Sequence, residues 1–258
     1  MLTVRIIPKL EVKNENLIKG IHLEGLRIVG KPEAAALKYA ADGADELIYI
    51  DLVASLYQRN NWLNIVKRTA EQIYIPLTVG GGIKSVADAR LFLRTGADKV
   101  AINTAIIKKP ELVTEIARKF GSQAMVASLE VQKKFDGSYE IYTDSGRTPT
   151  GVDPIPWAKE VERLGAGEIL LTFIHQDGTY QGYDLNLLAK IASAAKIPVI
   201  ASGGAGSIAD LIAAVTIDKA DALAIASLLH FNKLNISEIK QGLKKAKIPV
   251  RLWVIKSL

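Results

Sequence analysis

The feature that most constrains this chain is that its first half is written again in its second. Ile6–Lys13 (IIPKLEVK) and Met125–Gln132 (MVASLEVQ) both carry Leu-Glu-Val after a short apolar run, so Glu11 and Glu130 occupy equivalent strand ends. Gly43–Leu47 (GADEL) returns as Gly165–Ile169 (GAGEI), and Ile75-Pro76-Leu77 with Gly80–Gly82 returns as Ile197-Pro198-Val199 with Gly203-Gly204. Gly96-Ala97-Asp98 through Asn103-Thr104 returns as Lys219-Ala220-Asp221 through Ala226-Ser227. The offset runs only from 119 residues (Glu11 to Glu130) to 123 (Asn103 to Ala226).

Within each copy, short runs rich in Ile, Val and Leu alternate with segments of helical periodicity. The strand-like runs are Val4–Leu10, Glu46–Asp51, Ile75–Gly80, Lys99–Asn103, Ala124–Leu129, Glu168–Phe173, Pro198–Ser202 and Ala222–Ala226. Helical periodicity marks Glu33–Asp42, Trp62–Gln72, Val86–Thr95, Pro110–Lys119 and Pro156–Leu164. Strands apolar on both faces belong in a parallel sheet covered by helices. Eight such units in 258 residues predict a (β/α)8 TIM barrel with an internal two-fold half-barrel repeat. A doubly wound sheet is the alternative, usually with fewer strands and a topological switch point. The half-barrels span about 1–122 and 123–245, and no Pro/Gly/Ser-rich linker divides them, so 1–258 reads as one domain. Two long segments interrupt the pattern, each after a repeated glutamate. Lys13–Lys31 reads as a long polar loop, and Gln132–Gly151 carries Asp136-Gly137, a hairpin signal. Long loops at the carboxyl ends of barrel strands are where such folds keep their chemistry.

Composition narrows the partners. With 49% apolar residues the chain can bury a large core, yet no run approaches the roughly 18 apolar residues of a membrane span. Met1 leads directly into a strand-like run without a secretory pattern, and cysteine is absent, which fits a reducing cytoplasm. The net charge of +6 is dispersed, with no basic stripe interleaved with aromatics, so a phosphorylated small molecule is expected rather than nucleic acid. His22, His175 and His230 share no metal-ligand spacing, and neither metal nor cofactor is expected.

Chemistry is expected where the repeat places glycine. Gly80-Gly81-Gly82 and Gly203-Gly204 each end a strand and lead toward a helix, where bare backbone can approach a phosphate. Each is followed one strand later by Asn103-Thr104 or Ala226-Ser227, and Asp177-Gly178-Thr179 borders the second site. Two related sites predict a ligand with a phosphate at each end, spanning the barrel mouth.

These segments together resemble the cyclase subunit family of imidazole glycerol phosphate synthase. The matches are Arg5–Pro8, Gly43–Leu47, Leu77–Ile83 (LTVGGGI), Gly96–Asn103 (GADKVAIN), Phe120–Gln123, Gly165–Thr172 (GAGEILLT), Asp177–Thr179 and Ile200–Gly206 (IASGGAG). The related phosphoribosyl isomerase shares the half-barrel repeat but lacks several of them. The resemblance implies that ammonia from a glutaminase partner attacks a bis-phosphorylated aminoimidazole ribulotide. The adduct closes to imidazole glycerol phosphate and releases an aminoimidazole carboxamide ribotide. It implies catalytic roles for Glu11, Glu130 and the loop lysine Lys19. Phosphate binding falls to Gly82, Asn103 and Thr104 on one side, and to Asp177, Gly178, Gly204, Ala226 and Ser227 on the other. It also implies an ammonia gate of Arg5, Glu46, Lys99 and Glu168 at the amino end, with Asp98 facing the glutaminase.

The departures are specific. The family carries aspartate where this chain has Glu11 and Glu130, and a misplacement of about 1 Å can cost on the order of a hundredfold in rate. Lys9 stands where a small residue is usual, and His175 replaces the first acid of an Asp-x-Asp-Gly segment. The loop Ala54–Trp62 (ASLYQRNNW) is similar to a branch associated with amidation of surface-polysaccharide sugars. Besides histidine-pathway cyclase activity, two alternatives therefore stand: such an amidation paralogue, and a catalytically weak ammonia conduit or scaffold. Asp51 is a candidate to orient Lys19 or substrate, and Arg59 a candidate to reach substrate. Trp62, Trp157 and Trp253 read as packing residues.

Overall fold

A computed structural model describes residues 3–53, 61–217 and 219–252. Eight strands run parallel around a ring: Arg5–Lys13, Leu47–Asp51, Leu77–Gly80, Lys99–Ile102, Met125–Lys133, Glu168–Phe173, Val199–Ser202 and Ala222–Ile225. Each pairs with the next, and the ring closes where Arg5 of the first strand meets Ala222 of the eighth. The expected (β/α)8 barrel is what forms.

Side-chain alternation sorts the residues of every strand. Ile6, Leu10 and Val12 face outward and pack with the helices in the main core. Ile7 faces the axis, where it joins Ile48, Ala101, Val126, Leu170, Ile200, Ala222 and Ala224 in a separate inner core. The axis at mid-height is therefore filled with side chains. Both faces of the strands are buried, which is why they read as continuous apolar runs.

The helices are bounded by local chemistry, which at the serine starts repeats with the halves. Val86–Thr95 starts at Ser85, whose hydroxyl accepts from Asp88 N–H, and Ile208–Thr216 starts at Ser207, bonded in the same way to Asp210. Val86–Thr95 and Pro154–Leu164 both stop at a left-handed glycine, Gly96 and Gly165. Helix bounds depart from the expected ones by one or two residues, as at Pro154–Leu164, where Asp153 caps a helix beginning on proline. Trp62 is buried and stacks on Tyr49 at 5.7 Å between ring centroids; Trp157 is partly buried against the core, and Trp253 lies outside the described residues. Among the described residues no helix is long and apolar enough to cross a membrane.

A finer repeat appears at the amino end. Asp45 Oδ2 accepts from Ile6 N–H at 2.8 Å, Asp98 Oδ2 from Leu77 N–H at 2.8 Å, and Asp221 Oδ2 from Val199 N–H at 2.9 Å. Each aspartate precedes an even-numbered strand and ties it to the start of the odd-numbered strand before it. Before the sixth strand stands Gly167, whose own N–H donates to Met125 O at 2.9 Å. A Cβ there would collide with the Ser122 carbonyl, which explains the missing aspartate.

The segment Lys13–Lys31 differs from the loop expected of it. It forms an antiparallel hairpin, Asn16–Ile21 with Glu24–Gly30, which prolongs the first strand through pairs such as Glu11 with Ile18. Its turns use left-handed Asn14, His22 and Leu23 rather than an Asn-Gly or Asp-Gly pair, so the usual signal is absent. Burial of Leu17, Ile18 and Leu23 holds it against the barrel mouth. The second hairpin, Met125–Lys133 with Tyr139–Thr143, turns at Asp136-Gly137 as expected.

Asp45 also pairs with buried Lys240 at 2.7 Å, whereas Asp98 is exposed. Asp45→Ala should therefore cost about 3 kcal/mol in urea unfolding, and Asp98→Ala only about 1 kcal/mol. Equal costs would show that the Lys240 pair adds nothing to the lock.

Candidate functional site

The first strand carries Arg5, Ile7, Lys9 and Glu11 toward the axis, because residues two apart share a face. Arg5 lies at the amino end and Glu11 at the carboxyl end, where the hairpin that follows folds back and delivers Lys19. The Lys19 ammonium is buried and bridges Glu11 Oε2 at 2.8 Å and Asp177 Oδ1 at 2.5 Å. Three residues far apart in sequence thus meet in one charged cluster. Glu11 is wholly buried, and its second oxygen lies 3.2 Å from Lys9 Nζ. Burial alone would push the Glu11 carboxyl up, but Lys19 and Lys9 outweigh it and hold the group down at about 2. The same partners, Glu11 and Asp177, raise Lys19 against its own burial.

Glu130 occupies the equivalent strand end in an opposite electrostatic setting. It is partly open to a cavity, but its Oε2 is buried without a hydrogen-bond partner. Burial pushes its carboxyl up to about 7, against the pull of Lys9, the Gly146 N–H and Asn103. Two glutamates equivalent by repeat are therefore split, one fixed as a carboxylate and one able to exchange a proton near neutrality.

Two recesses flank this pair. The first, about 350 Å³, is lined by Gly81, Gly82, Asn103, Thr104, Asp144, Ser145 and Glu130, with Lys84, Lys108 and Lys109 also on its wall. The second is a cleft of about 20 Å³ formed by Asp177, Gly178, Gly203, Gly204, Ala226 and Ser227. All eight residues expected to hold phosphate fall into one recess or the other, divided as expected. Gly81 and Gly204 both take positive φ, and a Cβ would strike the Asp51 carbonyl at one and the Gly182 carbonyl at the other. Asn103 and Ala226 share an unusual backbone, φ/ψ −113/−83 and −120/−79, and no side chain caps the short helix after either. Asp51 lies on the wall of the first recess, and its Oδ1 accepts from Val53 N–H; Arg59 lies outside the described residues.

At the amino end Arg5, Glu46, Lys99 and Glu168 form a closed ring of alternating charge. Arg5 Nη1 reaches Glu46 at 2.8 Å and Glu168 at 2.7 Å, and Lys99 Nζ reaches the same two at 2.9 and 3.0 Å. Asp98, beside it, is exposed with one oxygen committed to the backbone lock. Among the described residues no group of three or more acids and histidines is arranged to hold a metal ion.

Some site residues carried no expected role. Asp144 and Ser145, both at positive φ, close over the first recess, and the Asp144 N–H donates to Thr104 Oγ1 at 3.1 Å. The run Asp144-Ser145-Gly146 was their only visible signal. His175 donates from Nε2 to Asp184 at 3.1 Å, and Tyr139 O–H donates to the same carboxylate at 2.9 Å, fastening the second hairpin to the helix Leu185–Ala194.

The family description "Histidine biosynthesis protein" matches residues 5–235, almost the whole barrel. The chain belongs to this family. Within it, the chain is 58% identical over 208 residues to imidazole glycerol phosphate synthase subunit HisF of Legionella pneumophila, covering 81% of this chain and 98% of that relative. It is 47% identical over 251 residues to the subunit of the same name from Alkaliphilus metalliredigens, covering 97% of this chain and all of the relative.

The split between the two glutamates has a thermodynamic signature in this family member. Glu130 is raised on folding from its ordinary 4.5, so its contribution to stability is full below that value and is lost as pH rises through about 7. Glu11 is lowered, so its contribution is present above 4.5 and is lost as pH falls through about 2. Glu130→Gln should gain about 2 kcal/mol over the parent between pH 5 and 8 in denaturant titrations. A constant difference across that range would contradict the raised carboxyl.

Proposed function

We propose that this chain is the cyclase subunit of imidazole glycerol phosphate synthase. In this reading it takes ammonia from a glutaminase partner and uses it on a bis-phosphorylated aminoimidazole ribulotide. The observation that carries the reading is one barrel mouth holding two glycine-lined recesses of related backbone on either side of two strand-end glutamates, one held low by lysines and one raised by burial. The subunit name borne by relatives at 58% and 47% identity favours it over the sugar-amidation paralogue.

The chemistry follows from the protonation states. Ammonia adds to the ribulotide carbonyl, whose oxygen leaves as water with two protons from the nitrogen, and ring closure then expels the carboxamide ribotide, which gains a proton as the new ring loses one. Glu11 stays ionised at neutral pH and is the group to receive a proton. Glu130, near 7, is the group to give one. Lys19 closes the hairpin over the site by binding Glu11 and Asp177 together. The phosphates are taken by Gly82, Asn103 and Thr104 at one end, and by Asp177, Gly178, Gly204, Ala226 and Ser227 at the other. The charged ring at the amino end is assigned to ammonia entry, with Asp98 on the face toward the glutaminase.

Purified chain given the ribulotide and ammonium salt should consume substrate, followed by absorbance. Glu11→Gln and Glu130→Gln should each lower kcat by about a hundredfold or more. Substrate that binds without turnover would sink the cyclase reading and favour the paralogue or scaffold. At constant free ammonia, kcat/KM should fall as pH rises through about 7, as expected of an acid with the value of Glu130. Arg5→Ala and Lys99→Met should lower glutamine-fed turnover in the complex while leaving turnover on external ammonia intact. Equal loss on both nitrogen sources would remove the gate assignment.

A further inference from the structure

One buried charge has no part in the chemistry above. Lys9 points toward the axis between the inner core and Glu11, and is only 4% exposed. An ammonium in such a place is costly unless paired, and its one ion-pair partner among the described residues is Glu11, at 3.2 Å. Its charge also acts on Glu130 across the barrel.

The Lys9 backbone is held as firmly as its side chain. His230 Nε2 donates to the Lys9 carbonyl at 3.1 Å, and His230 Nδ1 accepts from Tyr39 O–H at 2.8 Å. The tautomer follows from the partners, because a carbonyl only accepts and the ring must therefore carry its proton on Nε2. Burial keeps that imidazole neutral, with its titration lowered to about 4. The chain thus uses the helix Pro32–Ala41 and the short helix Ser227–His230 after the eighth strand to fix a lysine two residues before Glu11.

The count of charges explains why. Glu11 comes from the first strand, Glu130 from the fifth, Asp177 from the loop after the sixth, Lys19 from the hairpin and neutral His230 from the helix after the eighth strand; Asp51, Asp144, Lys84, Lys108 and Lys109 line the recess that Glu130 borders. Lys19 is a single ammonium shared between Glu11 and Asp177. Lys9 supplies the second cation, so the two carboxylates in the cluster are balanced, and Glu130 has no ion pair among the described residues.

We propose that Lys9 is a positioning residue for the acid–base pair: it holds Glu11 as a carboxylate independently of the Lys19 hairpin and screens Glu130 from Glu11. The proton on Glu130 is thereby exchangeable rather than locked in place. This assignment rests on the cyclase reading for its purpose, but its electrostatics can be measured without substrate.

The test is a carboxyl titration of the whole chain labelled with ¹³C-glutamate, with the Glu130 signal assigned by Glu130→Gln. In Lys9→Met the Glu130 titration should move up by about one unit, and the limb of kcat/KM should move with it. Lys9→Gln, which keeps a donor but no charge, should show the same shift. The chain has no cysteine, so Lys9→Cys can be aminoethylated at that one position in denaturant and refolded. Restoring the ammonium in this way should return the titration to that of the parent. Folded Lys9→Met or Lys9→Gln with a Glu130 titration superimposable on the parent overturns the proposal, as does a shift that aminoethylation fails to reverse. Absence of turnover in the parent would refute the cyclase reading while the titration still decides the role of Lys9.

Discussion

Closing eight parallel strands into a ring leaves each strand with one face that sees only the axis. On the first strand that face is Arg5, Ile7, Lys9 and Glu11, so a salt-bridged ring, an apolar layer and a buried charged cluster are stacked in order along one line. Neighbouring strands add Glu46, Lys99 and Glu168 to the lowest level, Ile48, Ala101 and Leu170 to the middle, and Glu130 to the top. A one-residue slip in any pairing would turn these residues outward into the helical layer. The backbone locks of Asp45, Asp98 and Asp221 bind neighbouring strand starts at the end where the charged ring lies.

Symmetry and its breaking divide the work. The half-barrel repeat makes two recesses with glycines of the same handedness and two short helices that start on nearly the same backbone angles. Electrostatics then separates the halves. Lys9 and Lys19 both belong to the first half and ion-pair with Glu11, while Glu130 has no ion pair among the described residues and burial outweighs the pull of Lys9. A pair of residues identical in the repeat thereby acquires two different affinities for a proton.

Legibility in the sequence followed the range of the interactions. The eight strands, the main helices and the hairpin at Asp136-Gly137 were all readable, because periodicity and turn chemistry are local. The residues flanking both recesses were readable because the repeat printed them twice. The hairpin within Lys13–Lys31 was not, since its turns rely on left-handed Asn14, His22 and Leu23 and on burial of Leu17 and Ile18 by the barrel mouth. Lys9 stood out only as an unusual residue. Its hydrogen-bond partner His230 lies 221 positions away.

The sequence by itself determined the architecture and the placing of its repeated glutamates: a repeated barrel with both at strand ends on one rim. Those facts depend on alternation, periodicity and repetition, which a linear chain carries openly. Only the tertiary structure decided the state of each glutamate and the company it keeps. Protonation depends on burial and on cations within a few ångströms, and it was closure of the barrel and folding back of the first hairpin that brought Lys19 and Asp177 to Glu11 and buried Lys9 beside it, while leaving Glu130 beside a cavity.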